Sequence, residues 1–225
     1  MKLNIPILAI GILVITNSCS TKGNEHDHHR GRGHANHHMN KTPFDELVKR
    51  FESSERDEWQ KPEKVIEFLG DLKNKTIVDI GAGTGYFEFK INEPSAKIIA
   101  ADVDARFIKY LNERISKEKK TNMFSRKAEI DKPPVTENEA DVVFMVDVYH
   151  HIENRVDYFS KLKTSLKPNG ALVVVDFKKG DFEHGPPDEM KLAHEQIITE
   201  LAKAGFENTV IDTTTLQFQY LLKFK

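Results

Sequence analysis

From residue 43 onward, the chain alternates between two hydrophobic patterns. Apolar residues at helical spacing (i, i+3, i+4, i+7) predict amphipathic helices, and short β-branched or apolar runs predict strands. The predicted helices cover residues 44–51, 62–69, 107–115, 156–166 and 197–204. The predicted strands are Thr76–Ile80, Lys97–Ala101, Met123–Arg126, Asp141–Val146, Ala171–Phe177, Glu207–Asp212 and Leu216–Phe224.

The order of these elements predicts an α/β fold with a doubly wound, mostly parallel sheet of seven strands. Nearly continuous apolar strands that alternate with helices are typical of a parallel sheet covered on both faces. The last two strands are joined by a loop too short for a crossover helix, so they must pair as an antiparallel hairpin. Ligands of such sheets bind at the carboxyl ends of the strands, where the strand order reverses. Polar residues that follow strands are therefore the candidate functional residues.

The first forty residues follow neither pattern. Lys2 precedes an apolar stretch, Leu3 to Val14, which is shorter than the about 20 residues of a transmembrane helix. It has the length of a signal-peptide apolar region. The following Thr16-Asn17-Ser18-Cys19 resembles the lipobox of a bacterial lipoprotein, whose cysteine is lipidated and becomes the mature N-terminus.

Residues 1–18 are therefore expected to be a lipoprotein signal peptide. A lipid on Cys19 would anchor the protein to a membrane of the bacterial cell envelope, on the periplasmic or outer-membrane face. An uncleaved hydrophobic anchor is the alternative. An internal start at Met39 would instead give a cytosolic protein.

Residues 19–41 are expected to form a disordered, histidine-rich tether, because almost no apolar residue is present to support folding. This segment holds six of the ten histidines: His26, His28, His29, His34, His37 and His38. Histidine-rich tracts are typical of loose binding of divalent metals such as zinc, copper and nickel. The alternative is a flexible polar spacer in front of a single domain over residues 42–225.

Composition narrows the choice of function. A net charge of −2 gives no basic footprint for nucleic acid, so no nucleic-acid partner is expected. A single cysteine excludes an internal disulfide framework and a cysteine-only metal site.

A glycine-rich loop, Asp79 to Gly85, follows the first predicted strand. Gly81 and Gly83 allow a ligand to approach the backbone closely, and N–H groups of a following helix can receive a carboxylate. Tyr86 stands where the dinucleotide fingerprint requires its third glycine. The loop therefore favours a methionine-bearing cofactor over a pyrophosphate, and dinucleotide-dependent oxidoreduction is disfavoured.

Asp102 ends the second predicted strand, about 20 residues beyond the glycine loop, where an acidic side chain accepts both ribose hydroxyls. The alternative for Asp102 is a helix cap, although Asp104 is better placed for that role.

This order of motifs resembles the class I S-adenosylmethionine-dependent methyltransferases over about residues 43–225. The resemblance implies a Rossmann-like fold, S-adenosylmethionine as cofactor, and cofactor contacts from Asp79, Gly81, Ala82, Gly83, Gly85, Asp102, Val103, Glu129 and Asp147. Many relatives place an aspartate just before the alanine that follows the third strand, facing the adenine. Lys127 occupies that place here, and Glu129 is the best substitute.

The fourth predicted strand leads into Asp147-Val148-Tyr149-His150-His151. This pattern resembles small-molecule methyltransferases with a double histidine, such as those acting on quinones and metalloids. The catalytic candidates are Asp147, Tyr149, His150 and His151. We expect Asp147, Tyr149 and one histidine to face the site, since histidine can act as a base near neutral pH. The other histidine would then pack against the neighbouring loop.

The sequence thus predicts a membrane-tethered enzyme that methylates a small molecule. Residues 42–72 would form a helical cover, and Trp59 within it is either part of a lid or a packing aromatic. The alternative function is an exported metal- or ligand-binding protein that keeps the fold without turnover.

Overall fold

The computed structural model describes residues 42–225. The helices are α1 Phe44–Phe51, α2 Ser54–Gln60, α3 Pro62–Leu69, α4 Ala105–Lys117, α5 Arg155–Ser165 and α6 His194–Lys203. The strands are β1 Thr76–Ile80, β2 Lys97–Asp102, β3 Met123–Lys127, β4 Ala140–Val146, β5 Leu166–Phe177, β6 Asn208–Asp212 and β7 Gln219–Phe224. Short 3₁₀ turns lie at Glu88–Lys90, Tyr149–His151 and Asp188–Met190.

Several predictions lie outside the described residues. They are the signal peptide, lipidation of Cys19, the histidine tract and the start at Met39. Between residues 42 and 225, no helix is both long enough and apolar enough to span a bilayer.

The seven strands form one sheet in the order β3-β2-β1-β4-β5-β7-β6. Strands β1 to β5 pair in parallel, and β7 pairs antiparallel with both β5 and β6. The predicted doubly wound sheet with a C-terminal hairpin is therefore confirmed. The strand order reverses between β1 and β4, so their carboxyl ends open a crevice at the same edge of the sheet.

Each central strand contributes side chains to both faces of the sheet. Val78 and Val143 pack with α5 and α6 on one face. Ile77 and Phe144 pack with α3 on the other face. Burial on both faces explains why the sequence shows almost unbroken apolar runs rather than an alternating pattern.

Helix α2 was not expected, because its seven residues lack a repeating apolar face and include a single tryptophan, Trp59. Leu166, expected on a helix, lies instead in β5 opposite Ala140, with extended backbone angles (φ −78°, ψ 137°). A register shift between Ala140 and Val142 accommodates this longer strand.

The prediction of a helix directly after the glycine loop was also wrong. Only turns and the 3₁₀ turn Glu88–Lys90 occupy that stretch.

Candidate active site

The glycine loop is held against the end of β2 by its own backbone. The N–H groups of Gly81 and Ala82 donate to the carbonyl of Ala101 at 2.8 and 3.0 Å. Gly81 has φ +83°, and a Cβ on it would clash with Val148. Gly83 also has positive φ. The loop thus needs glycine at these positions for conformation and for space.

Asp102 connects the end of β2 to the glycine loop. Its Oδ2 accepts from Gly83 N at 2.9 Å, and its Oδ1 accepts from Asp104 N at 2.7 Å. Burial raises the pKa of Asp102 to about 6, although these two backbone donors act in the opposite direction. Asp104, not Asp102, caps α4 by accepting from Arg106 N at 2.8 Å. Asp102 therefore lies beside the loop, where the sequence placed it.

Helices α1 and α2 lie over the loop. The Phe51 ring is 3.2 Å from the place where a Cβ on Gly83 would be. The Arg56 guanidinium lies 4.0 Å from the Tyr86 ring centroid and donates to the Phe51 carbonyl at 2.9 Å. The Tyr86 hydroxyl donates to Asp57 on the same helix. These contacts hold the first two helices on the loop.

A second polar group lies at the end of β4, around Asp147. Gln60 Nε2 donates to Asp147 Oδ2 and to Gln219 Oε1, both at 3.1 Å, and Gln219 Nε2 donates to Asp147 Oδ1. Burial, followed by the charge of Asp176, raises the pKa of Asp147 to about 7, whereas Arg56 lowers it. The carboxyl is thus oriented by two glutamines that arrive from α2 and β7.

His150 and Asp176 form a buried pair next to this group. His150 Nδ1 lies 2.9 Å from Asp176 Oδ1, and the two side chains are only 4% and 0% exposed. Burial lowers the pKa of His150, but Asp176 outweighs burial and the net shift is upward. Burial and the neighbouring His150 lower the pKa of His151 to about 4. His150 is therefore the histidine whose charge state an acidic partner controls.

Tyr149 points into the core. It is fully buried, its ring stacks on Phe159 at 4.8 Å, and its hydroxyl donates to Glu200 Oε2 at 2.9 Å. Arg155 donates to the same carboxylate. These contacts give Tyr149 a packing role between α5 and α6.

The residues expected near the adenine lie at the surface. Lys127 Nζ donates to the carbonyl of Val103, whose side chain is 44% exposed. Glu129 pairs with Lys132 at 3.0 Å. The cofactor contact of Val103 and the adenine contact of Glu129 stay predictions.

Trp59 belongs to an aromatic cluster at the rim of the crevice. Its ring stacks on His184 at 4.9 Å and lies 5.9 Å from Phe177 and 6.4 Å from Phe218. The tryptophan precedes Gln60 in α2, and Phe177 pairs with Gln219 across the sheet. The cluster therefore fastens α2 to the ends of β5 and β7 beside Asp147. This placement favours a role for Trp59 in the cover.

Sequence reasoning missed five polar residues of this region: Arg56, Gln60, Glu88, Asp176 and Gln219. Asp176 was detectable, because it follows an apolar run at a strand end as Asp102 and Asp147 do. The others carry no motif, since their positions depend on how α2 and β7 meet the loop. Within residues 42–225, no three histidine, cysteine or acidic side chains are arranged to hold a metal ion.

A family model described as "Methyltransferase domain" matches residues 71–224. The chain belongs to this methyltransferase-domain family. Membership confirms the expected class I methyltransferase fold, and the match covers the whole sheet, the glycine loop, Asp147 and Gln219, but not Gln60.

Solved structures and curated proteins agree with this membership. A SAM-dependent methyltransferase from Aquifex aeolicus is 26% identical, with a TM-score of 0.74, over 82% of this chain and 98% of that chain. The tRNA U34 carboxymethyltransferase of Cellvibrio japonicus is 28% identical over 56% of this chain and 41% of its own length. Phosphoethanolamine N-methyltransferase 2 of Caenorhabditis elegans is 25% identical over 71% and 39%. The matches cover 36–56% of the length of these two curated relatives and of other tRNA U34 carboxymethyltransferases.

Proposed function

We propose that this methyltransferase domain transfers a methyl group from S-adenosylmethionine to a small-molecule acceptor. The observation that carries the proposal is the buried His150–Asp176 pair beside Asp147, placed at the sheet edge next to the glycine loop. A base, an oriented carboxyl and a glycine cradle in one crevice are what methyl transfer to a protonated acceptor needs.

The residues present fit S-adenosylmethionine. The positive φ angles of Gly81, Gly83 and Gly85 give the loop a tight turn at the end of β1 that other residues rarely adopt. The buried Thr84 Oγ1 has no hydrogen-bond partner in the protein, so a polar group of a ligand can bond to it. Asp102 is placed to accept from ribose hydroxyls. Arg56 is a half-buried cation beside the loop and can receive the α-carboxylate of the cofactor.

When bound, S-adenosylmethionine supplies an electrophilic methyl group that is already activated by the sulfonium. The protein then has to orient the acceptor and remove its proton. With a proton on His150 Nδ1 held by Asp176, the ring's other nitrogen, Nε2, carries the lone pair that can take a proton from an acceptor hydroxyl or amine. Asp147, fixed by Gln60 and Gln219, orients the acceptor, and alignment supplies much of the rate.

The covered position of this group supports a small acceptor. Gln60 and Trp59 of α2 close one side of the crevice, and Gln219 closes another. An acceptor must fit under these side chains to reach Asp147. The net charge of −2 adds no attraction for a polyanion.

The test has two stages on the purified chain. First, calorimetry with S-adenosylhomocysteine should show binding heat, and its absence would remove the proposal. Second, radiolabelled methyl transfer into small-molecule pools should fall about 100-fold or more in His150→Gln. Tyr149→Phe is the matched control on the same turn and should keep wild-type turnover.

Methylation of tRNA is a second candidate, because curated relatives are named tRNA U34 carboxymethyltransferases. Bulk tRNA belongs in the same screen as the small-molecule pools. Label that precipitates with RNA would favour tRNA over a small acceptor. A chain that binds S-adenosylhomocysteine yet labels neither pool would favour the ligand-binding alternative without turnover.

We further propose that the protein is held in the bacterial cell envelope by a lipid on Cys19, with His26, His28, His29, His34, His37 and His38 binding divalent metal loosely. The sequence pattern supports both statements. Mass spectrometry of the native N-terminus tests the anchor, since a lipidated Cys19 peptide excludes a start at Met39. Metal retention before and after deletion of residues 26–38 tests the tract.

A further inference from the structure

The polar group at the end of β4 is closed by two side-chain amides. Gln60 and Gln219 are both 0% exposed. Gln60 Nε2 donates to Asp147 Oδ2 at 3.1 Å, and Gln219 Nε2 donates to Asp147 Oδ1. Both carboxylate oxygens are therefore occupied, and an acceptor can bond to Asp147 only by displacing one of the two amides.

The Gln60 amide nitrogen lies between two oxygen atoms from other parts of the chain. Besides Asp147 Oδ2, its Nε2 donates to Gln219 Oε1, also at 3.1 Å. We call the space between Asp147 Oδ2 and Gln219 Oε1 the donor slot. It binds two N–H groups of a single nitrogen atom.

The nitrogen that fills the donor slot belongs to a short helix of the cover. Lys61, directly after Gln60, has a φ of +46°, which a residue other than glycine rarely adopts, and Pro62 then begins α3. Asp147, in contrast, is held to the sheet, since its N–H donates to the carbonyl of Val175 at 2.9 Å. A backbone rotation at Lys61 would therefore withdraw Gln60 and leave the two oxygens of the slot in place.

We propose that the methyl acceptor is a primary amine whose nitrogen replaces Gln60 Nε2 in the donor slot. The inference rests on the proposed function and names its substrate class. One amine nitrogen presents two N–H donors, or three as an ammonium, so it can bond to both oxygens as the Gln60 amide does. A hydroxyl has a single donor and would leave one buried oxygen without a partner.

The side chains around the donor slot suit an amine that carries an apolar group. Trp59 directly precedes Gln60 in α2, and its ring lies 5.9 Å from that of Phe177. Phe218 directly precedes Gln219, and its ring lies 6.4 Å from that of Trp59. Aromatic rings attract ammonium groups and also bury hydrocarbon. The apolar part of the acceptor is therefore expected against these rings.

The proton balance of the transfer follows from the same contacts. An arriving ammonium offsets the buried Asp147 carboxylate and then gives one proton to His150 Nε2. The neutral amine keeps two N–H groups for the slot, and its lone pair becomes free. The nitrogen forms a bond to the methyl carbon as the carbon–sulfur bond breaks, and the electrons of that bond stay on sulfur.

Matched acceptors test the substrate class on the purified chain with radiolabelled S-adenosylmethionine. One pool holds primary amines with alkyl or phenylalkyl groups, such as hexylamine and phenylethylamine, and the other holds the alcohols with the same carbon skeletons. We expect the amines to be labelled at least about 10-fold faster, because an alcohol leaves an oxygen of the slot unpaired.

The other outcomes contradict the inference in distinguishable ways. Equal or faster labelling of the alcohols overturns it and leaves the proposed function standing. Label in other small molecules but in no amine has the same meaning. If S-adenosylhomocysteine does not bind at all, the inference and the proposed function both fail.

Two glutamine variants separate this role from a purely structural one. Gln219→Met removes one oxygen of the donor slot, so the KM for a labelled amine should rise about 3- to 10-fold. Gln60→Met removes the amide that competes for the slot, so the KM should fall. Gln196→Met is the control, because Gln196 also donates to a carboxylate, Glu200 at 2.9 Å, but lies exposed on α6.

The control should keep the wild-type KM. A KM that rises in both the Gln60 and the Gln219 variant would show that both amides only support Asp147, and would overturn the displacement of Gln60. The comparison of amines with alcohols on the wild type decides the substrate class even if a variant does not fold.

Discussion

Replacing Asp176 by asparagine tests the site most directly, because three groups donate to this carboxylate. They are His150 Nδ1 at 2.9 Å, Phe177 N at 2.8 Å and His150 N at 3.3 Å. Asparagine retains one acceptor oxygen but places an amide NH₂ where the second oxygen was. The NH₂ either faces the His150 donor or forces the ring into the other tautomer. In either case His150 loses the group that holds its proton on Nδ1.

The size of the effect follows from these contacts. A hydrogen bond to a charged group contributes about 1.5–3 kcal/mol, which the Asp176→Asn variant loses. For a domain of this size, that loss lowers the Tm by about 3–12 °C. The pKa of His150 should fall, because burial remains and the carboxylate that opposed it is gone. Methyl transfer should fall about 100-fold or more if His150 is the base.

The sign of the pH dependence is a further check. The pKa of His150 is raised in the folded protein, so its contribution to stability is full below the unfolded value of about 6.5. That contribution is lost as the pH rises through the folded value. In the variant the pKa lies below the unfolded value, so the remaining pH dependence at His150 reverses.

Three measurements decide the outcome. Urea unfolding at pH 6 and pH 8 gives the stability change, imidazole NMR gives the His150 pKa, and the pH profile of methyl transfer shows whether the base moved with it. An unchanged His150 titration in Asp176→Asn would refute the pairing. A shifted titration with an unchanged pH profile of transfer would refute the role of His150 as base.

Three other changes have defined outcomes. Tyr149→Phe should cost about 1 kcal/mol in urea unfolding, because one hydrogen bond to Glu200 is lost, and an activity loss would return Tyr149 to the site. Burial raises the pKa of Glu88 from its usual value of about 4.5 to about 7. The free energy of unfolding should therefore fall by up to about 3 kcal/mol as the pH rises through this range, and Glu88→Gln should remove that dependence. Gly85→Ala should destabilise by about 2–4 kcal/mol, since φ is +83° and the new Cβ would lie 2.8 Å from Phe89; an unchanged denaturation midpoint contradicts this geometry.

The fold was predictable because its signals are local. Apolar runs, glycines and strand-end acids each specify an element without knowledge of its neighbours. The polar network was less accessible, since Gln60 and Gln219 lie 159 positions apart and meet only after α2 packs on the sheet. Tyr149 shows the same limit, because His150 next to it pairs with Asp176 while the Tyr149 hydroxyl bonds to Glu200 on α6. Side-chain direction on a 3₁₀ turn depends on packing that no local motif records.

The position of α1 and α2 on the glycine loop has a kinetic consequence. Phe51 lies against Gly83, and Gln60 bonds to Asp147. If the cofactor binds beneath these helices, we expect both contacts to separate before it leaves. We expect departure of the demethylated product, rather than the chemical step, to limit turnover. A long residence time also lets each captured donor molecule meet an acceptor before it escapes, which is an advantage wherever the donor is scarce.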